Sequence, residues 1–229
     1  MSRLAIPRLE TPIGRALAAS RPRLAAALSI ALATAALDVL TLRSDAPFAA
    51  HRWIAPIVAI VLLERLSLGD RRSCGLVLAP LPSVRYWIRA TLVIGALVAA
   101  LVAASSVAMW LFGADLSPDP LPLGGAASLL QRFCVEAPLC EELVWRVVLV
   151  PPAAALLGPW GAVVASGAAF AGLHVLYGNP APDNLVAGFF LAFAFLRSGS
   201  LAVPIALHAL GNLCVLATRV AVGTWLVFY

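Results

Sequence analysis

Lysine is missing from this chain, and all sixteen basic residues are arginine. With the abundant alanine, that usage points to a GC-rich genome. Charge of either sign is scarce. Only 12% of the 229 residues are charged and 62% are hydrophobic, where a soluble domain carries roughly 25% charged residues. The composition therefore excludes a soluble globular protein. The net charge of +5 does not signal nucleic acid, because no basic patch with interleaved aromatics accompanies it. Cysteine is also sparse. Cys74, Cys134, Cys140 and Cys214 form no CxxC pair and no disulfide framework, and read as small residues of membrane helices. There is no HExxH zinc signature, no internal repeat, and no linker that would mark a second domain.

What the chain has instead is long apolar runs. Hydropathy predicts an all-α polytopic membrane protein with about seven transmembrane helices, at 24–42, 50–66, 88–112, 128–156, 158–176, 184–197 and 200–218. The second, around "WIAPIVAIVLL", is short and contains Pro56. The fourth reads as a broken element, "SLLQRFCVEA" followed by a helix that starts at Pro138, where a first-turn proline is well placed. The whole of 1–229 reads as one integral membrane domain: an Arg-rich cytoplasmic N-terminus at 1–23, accessory helices at 24–112 and core helices at 125–218. Five arginines lie in 1–23 and five more from Arg65 to Arg89, whereas "GADLSPDPLPLGGA" at 113–126 has two aspartates and no basic residue. The positive-inside rule then puts the N-terminus and the 65–89 loop in the cytoplasm and 113–126 outside. Trp53, Trp87, Trp110, Trp160 and Tyr177 fall near span ends, as an aromatic belt requires.

Against this background "LCEELVWR", residues 139–146, raises a question. A charge in the hydrocarbon costs about 2.5–3.5 kcal/mol on the mildest insertion scale, yet Glu141, Glu142 and Arg146 fall within six residues. Glu142 and Arg146 are four apart and share a helix face, so they can form an ion pair. Glu141 points about 100° away, and the same arginine does not serve it. A carboxylate without a cation in apolar surroundings binds a proton more readily than one in water, which suits a general base. His174 closes "FAGLH", with Phe170 one turn back on its face. His208 and Asn212, in "HALGN", are again four apart. Each of these has a bland reading: a structural ion pair, an interfacial histidine, hydrogen bonding between helices. The predicted topology, however, gathers them at one depth. A carboxylate with an imidazole can activate water, while a second imidazole and an amide hold an oxyanion. Alternatively, Glu and two His could bind zinc and polarise its water.

"EELVWR" fits EExxxR, "FAGLH" fits FxxxH and "HALGN" fits HxxxN. These motifs, in this order on separate helices, resemble the CPBP family, the CAAX prenyl protease and bacteriocin-processing (Abi) intramembrane proteases. The likeness covers roughly 125–215. It implies a helical core with a water-accessible cavity, in which Glu141 with His174 activates the attacking water and His208 with Asn212 forms the oxyanion site. Glu142, Arg146 and Phe170 would support them. The implied activity is an intramembrane endopeptidase of glutamic type, with no cofactor and a metal-dependent hydrolase as the alternative. Its partners would be the lipid bilayer and a protein or peptide substrate with a membrane-anchored or C-terminal sorting segment, not nucleic acid. Its place would be the bacterial inner membrane. Two other classes stay open: a proton-coupled transporter, since intramembrane Glu, Arg and His also mark ion paths, and a non-catalytic immunity or scaffold protein of the same fold.

Overall fold

The computed structural model describes residues 10–43, 52–113, 126–178 and 182–222. Over these residues the chain is helical, and the single β-type contact is an isolated bridge between Leu76 and Ser200. The helices are α1 (Arg15–Ala18), α2 (Arg21–Arg43), α3 (Ile54–Leu66), α4 (Val84–Leu111), α5 (Ala126–Gln131), α6 (Ala137–Glu142), α7 (Val150–Leu176), α8 (Pro182–Ser198) and α9 (Ala202–Val222). Two π-helical turns, Arg132–Glu136 and Leu143–Val148, join α5 to α6 and lead from α6 towards α7.

Local sequence explains where these elements stop and bend. Leu68 and Gly69 after α3 take positive φ (58° and 78°), and the Gly69 N–H bonds back to the Glu64 carbonyl at 2.9 Å, closing the helix in the left-handed manner. α7 bends at Gly158, whose φ of 75° and ψ of 171° are not helical, just before Pro159. That bend lies at the predicted boundary between spans four and five.

The predicted break at Pro138 is not there. Helical backbone continues through Glu136 and Ala137 (φ −67° and −61°). Proline has no N–H and its ring crowds the carbonyl four residues back. The helix answers by widening into a π turn rather than breaking. Two helices, Arg21–Thr41 and Val150–Leu176, are long and apolar enough to cross a membrane by length and composition. α3 has 13 residues, or about 20 Å at 1.5 Å per residue, short of a hydrocarbon core of about 30 Å. The predicted outer segment 113–126 falls largely outside the described residues, as do residues 1–9.

The chain nonetheless runs between two ends. At one, the Gly14 N–H bonds to the Ser73 carbonyl (2.9 Å) and the Ala16 N–H to Ser73 Oγ (3.0 Å), while Leu81 N–H reaches the Ser198 carbonyl (2.8 Å). The Arg-rich N-terminal stretch is therefore not a free tail throughout: Ile13 and Leu17 are buried in the body. At the other end Arg52 grips Asp38, and α9 meets the first π turn. The core lies where α7 and α8 pack, around Val147, Val163, Ala192 and Phe195. Two glycines let these helices close: a Cβ on Gly167 would stand 2.4 Å from the Phe189 ring, and one on Gly188 would stand 2.8 Å from Phe170 Cβ. Close approach through small residues is how helices associate in lipid. Of the predicted belt, Trp110 and Trp160 are exposed, but Trp87 is buried against Ala194 and Val203 and donates its indole N–H to the Leu81 carbonyl. Trp87 thus fastens α4 to α8 and α9 instead of marking an interface.

Candidate active site

The α6 turn, held between the two π turns, carries Glu141 and Glu142. The ion pair that the EExxxR spacing predicts is present and wholly buried: Arg146 Nε lies 3.0 Å from Glu142 Oε2, and neither side chain is exposed. Its angle makes it a charge contact rather than an aligned hydrogen bond. Arg146 also donates from Nη1 to Ser166 Oγ (3.1 Å), and its guanidinium carbon sits 4.9 Å from the centre of the Phe170 ring. Ser166 in turn donates to the Trp145 carbonyl (2.8 Å), inside the second π turn.

α9 brings His208 onto the same carboxylates. His208 Nδ1 is 2.8 Å from Glu142 Oε1, and Nε2 is 3.9 Å from Glu141 Oε2. Glu142 therefore serves two partners, where the sequence predicts one. Since Glu142 already faces Arg146, its oxygen is an acceptor and Nδ1 of His208 is the donor. Glu141 is less enclosed, with 14% of its side chain exposed.

His174 is arranged differently from its sequence-based role. Its Nδ1 is 3.0 Å from the Phe170 carbonyl, an atom that can only accept, so Nδ1 carries the proton and Nε2 the lone pair. Among the described residues His174 makes no ion pair with Glu141; the imidazole within that range is His208. Phe170 lies between the two histidines, 4.5 Å from the His174 ring and 5.9 Å from that of His208. Asn212 donates to the Phe133 carbonyl at 2.7 Å rather than to the glutamates. The structure thus joins Glu141, Glu142, Arg146, His208 and Phe170 in one cluster, with His174 and Asn212 on its flanks.

Three residues were not foreseen. Ser166 could have been found, because Ser166, Phe170 and His174 repeat every four residues on one face of α7. Asp38 is the lone acidic residue of the first apolar run, and Arg52 binds it through two hydrogen bonds, Nε to Oδ1 at 2.6 Å and Nη2 to Oδ2 at 3.2 Å. Burial alone would weaken the Arg52 charge. Asp38 and the negative charge of Glu141 outweigh that, and its pKa is raised. Fourteen residues separate this pair, and no spacing rule reaches so far. Among the described residues no three His, Cys, Asp or Glu side chains are grouped to hold a metal ion.

Residues 123–214 match the family described as Type II CAAX prenyl endopeptidase Rce1-like. This core is Rce1-like. No curated protein and no solved structure matches the chain. The matched segment contains Glu141, His174, His208 and Asn212, whereas Asp38 and Arg52 lie before it. Rce1-like proteins form a protease family, which supports a peptidase. With the two long apolar helices, the Rce1-like match also supports a membrane protein acting on a protein substrate.

Proposed function

We propose that this chain is an intramembrane endopeptidase in which Glu141 activates water. The observation that carries the reading is the convergence of Glu141 Oε2 and His208 Nε2, 3.9 Å apart, over the buried Glu142–Arg146 pair. Both atoms can reach one water molecule at that separation. Glu141 takes a proton from water, the hydroxide oxygen bonds to the scissile carbonyl carbon, and the carbonyl oxygen becomes an oxyanion. His208 donates to that oxygen from Nε2. This requires protons on both ring nitrogens, and the charges permit it: Glu141 and Glu142 against Arg146 leave one negative charge to balance. Asn212 offers the amide hydrogen not used on Phe133. The C–N bond then breaks as the proton on Glu141 passes to the leaving amine. His174 holds its Nε2 lone pair on the flank as a second acceptor. No cofactor enters this route.

The alternating ends of the fold support seven crossings, with α3 as a short second one. It leads from Arg52, beside Asp38, to the Ser73 loop at the opposite end. The arginine count places the Ser73 end in the cytoplasm of a bacterial inner membrane. The site then lies towards the outer face. That depth favours exported or membrane-anchored substrates, including proteins with a C-terminal sorting segment.

Expression of wild type and Glu141→Gln beside the exported proteins encoded next to it is the direct test. A size shift should appear with wild type and vanish with Glu141→Gln, His174→Ala or His208→Ala while each variant still accumulates in the membrane. Full processing by Glu141→Gln would sink the mechanism. In a background without the native cysteines, a cysteine at Leu176 should react with an impermeant thiol reagent in intact cells and one at Ser83 should not. The reverse pattern would move the site to the cytoplasmic face.

A further inference from the structure

Pro138 has a consequence on a different helix. In the first π turn the Ala137 N–H bonds to the Arg132 carbonyl, five residues back. The next carbonyl is that of Phe133, and the same pattern would need an N–H at residue 138. That residue is proline, which has none. Within a membrane no bulk water is at hand to take the place of the missing donor. The Asn212 amide does so instead: Nδ2 donates to the Phe133 carbonyl at 2.7 Å from α9.

We infer that Asn212 is a positioning residue for Glu141, its amide standing in for the backbone N–H that Pro138 cannot supply and thereby tying the turn that carries Glu141 to the helix that carries His208. Glu141 lies three residues beyond Pro138, and His208 lies four before Asn212, so the tie is about one turn from each. It bears on the spacing between Glu141 Oε2 and His208 Nε2, the 3.9 Å separation of the site. One amide hydrogen is committed to this tie and the other remains for substrate. The catalytic meaning of the tie rests on the proposed function; its geometry does not.

Because Pro138 creates the need for Asn212, restoring an N–H at 138 should remove it. The test is site-resolved alkylation of the full-length protein in detergent with N-ethylmaleimide, read by peptide mass spectrometry. Cys140 is 4% exposed and precedes Glu141, and the fully buried Cys74 lies at the opposite end as an internal control. Loss of one hydrogen bond of ordinary strength should speed Cys140 labelling by about tenfold in Asn212→Ala, with Cys74 unchanged. Adding Pro138→Ala should return Cys140 labelling to within about twofold of wild type. It should also recover part of the processing that Asn212→Ala loses. If Cys74 also becomes reactive the single variant has unfolded, and Asn212→Asp then carries the test, since it keeps the shape and lacks the N–H. Unchanged Cys140 labelling on loss of the amide, or no protection regained with Pro138→Ala, would overturn the inference. So would regained protection with processing still at the single-variant level, which would make Asn212 a direct substrate contact. Labelling needs no substrate, so it reports on the tie even if Glu141→Gln shows that the proposed protease reading is wrong.

Discussion

Removing Arg146 offers the sharpest test of how the site is held. Arg146→Ala takes away four things at once. These are the charge beside Glu142 Oε2 at 3.0 Å, the donor to Ser166 at 3.1 Å, the cation over the Phe170 ring at 4.9 Å, and the volume of a side chain with no exposure. Of these the charge dominates. Removing one partner of a buried ion pair costs about 3–5 kcal/mol because the other charge is left uncompensated. His208 remains at 2.8 Å from Glu142 and softens the loss, which favours the lower part of that range. For a chain of this size such a loss lowers the melting midpoint by about 6–20 °C. Thermal unfolding of purified protein in detergent would measure it. The informative partner is the double variant Glu142→Gln/Arg146→Met. Gln keeps an acceptor for His208, Met refills the volume, and no charge is stranded. It should be less destabilised than Arg146→Ala alone, by about 2 kcal/mol, as apolar replacement of a buried pair is often near neutral. An Arg146→Ala melting point equal to wild type, or a double variant whose loss equals the sum of the two single losses, would show that the pair is not coupled and would refute the reasoning.

Other outcomes follow from single contacts. Ser166→Ala strands the Trp145 carbonyl and Arg146 Nη1 and should cost about 1–3 kcal/mol of stability, seen as a lower melting midpoint. Gly188→Ala places a Cβ 2.8 Å from Phe170 Cβ and 3.0 Å from the Gly167 carbonyl oxygen. Because neither neighbour is the far end of a flexible chain, it should cost about 1–3 kcal/mol, and an unchanged melting point would mean that α7 and α8 can part freely. In the loop after α3, burial pushes the Cys74 thiol above its ordinary pKa while the Ser67 hydroxyl pulls the other way. A raised pKa leaves less thiolate at a given pH, so at mildly alkaline pH Cys74 should alkylate more slowly than a free thiol.

How much of this was readable in advance depended on distance along the chain. Glu142 and Arg146 are four apart, and helix geometry alone pairs them. The bend at Gly158–Pro159 was readable as a boundary between apolar runs. The contact of His208 with Glu142 was not, because it spans 66 residues and depends on how far two π turns rotate α6. The sequence shows one of those turns only through Pro138, and read as a helix start that proline suggests a break where the chain in fact widens. Glu141 was expected beside His174. The structure sets His208 closer, since α9 packs onto the first π turn while His174 folds back onto its own helix at Phe170. The seven apolar runs were clear, but α3 is too short to identify itself as a crossing. Its role emerges only from which loops meet at each of its ends.

The two π turns also carry an arithmetic of insertion and deletion. A π turn is an α-helix with one extra residue, and one residue is about 100° of rotation. Deleting a single residue from 132–136 would return that stretch to α geometry and swing everything after it, Glu141 included, by about 100° relative to α5. A deletion in 143–148 would instead leave Glu141 in place and turn the Gly158 bend and the Ser166–Phe170–His174 face away from it. The catalytic carboxylate and the α7 stripe are therefore separately indexed. A one-residue change in length in either turn would move one against the other without altering the chemistry of any side chain in the site.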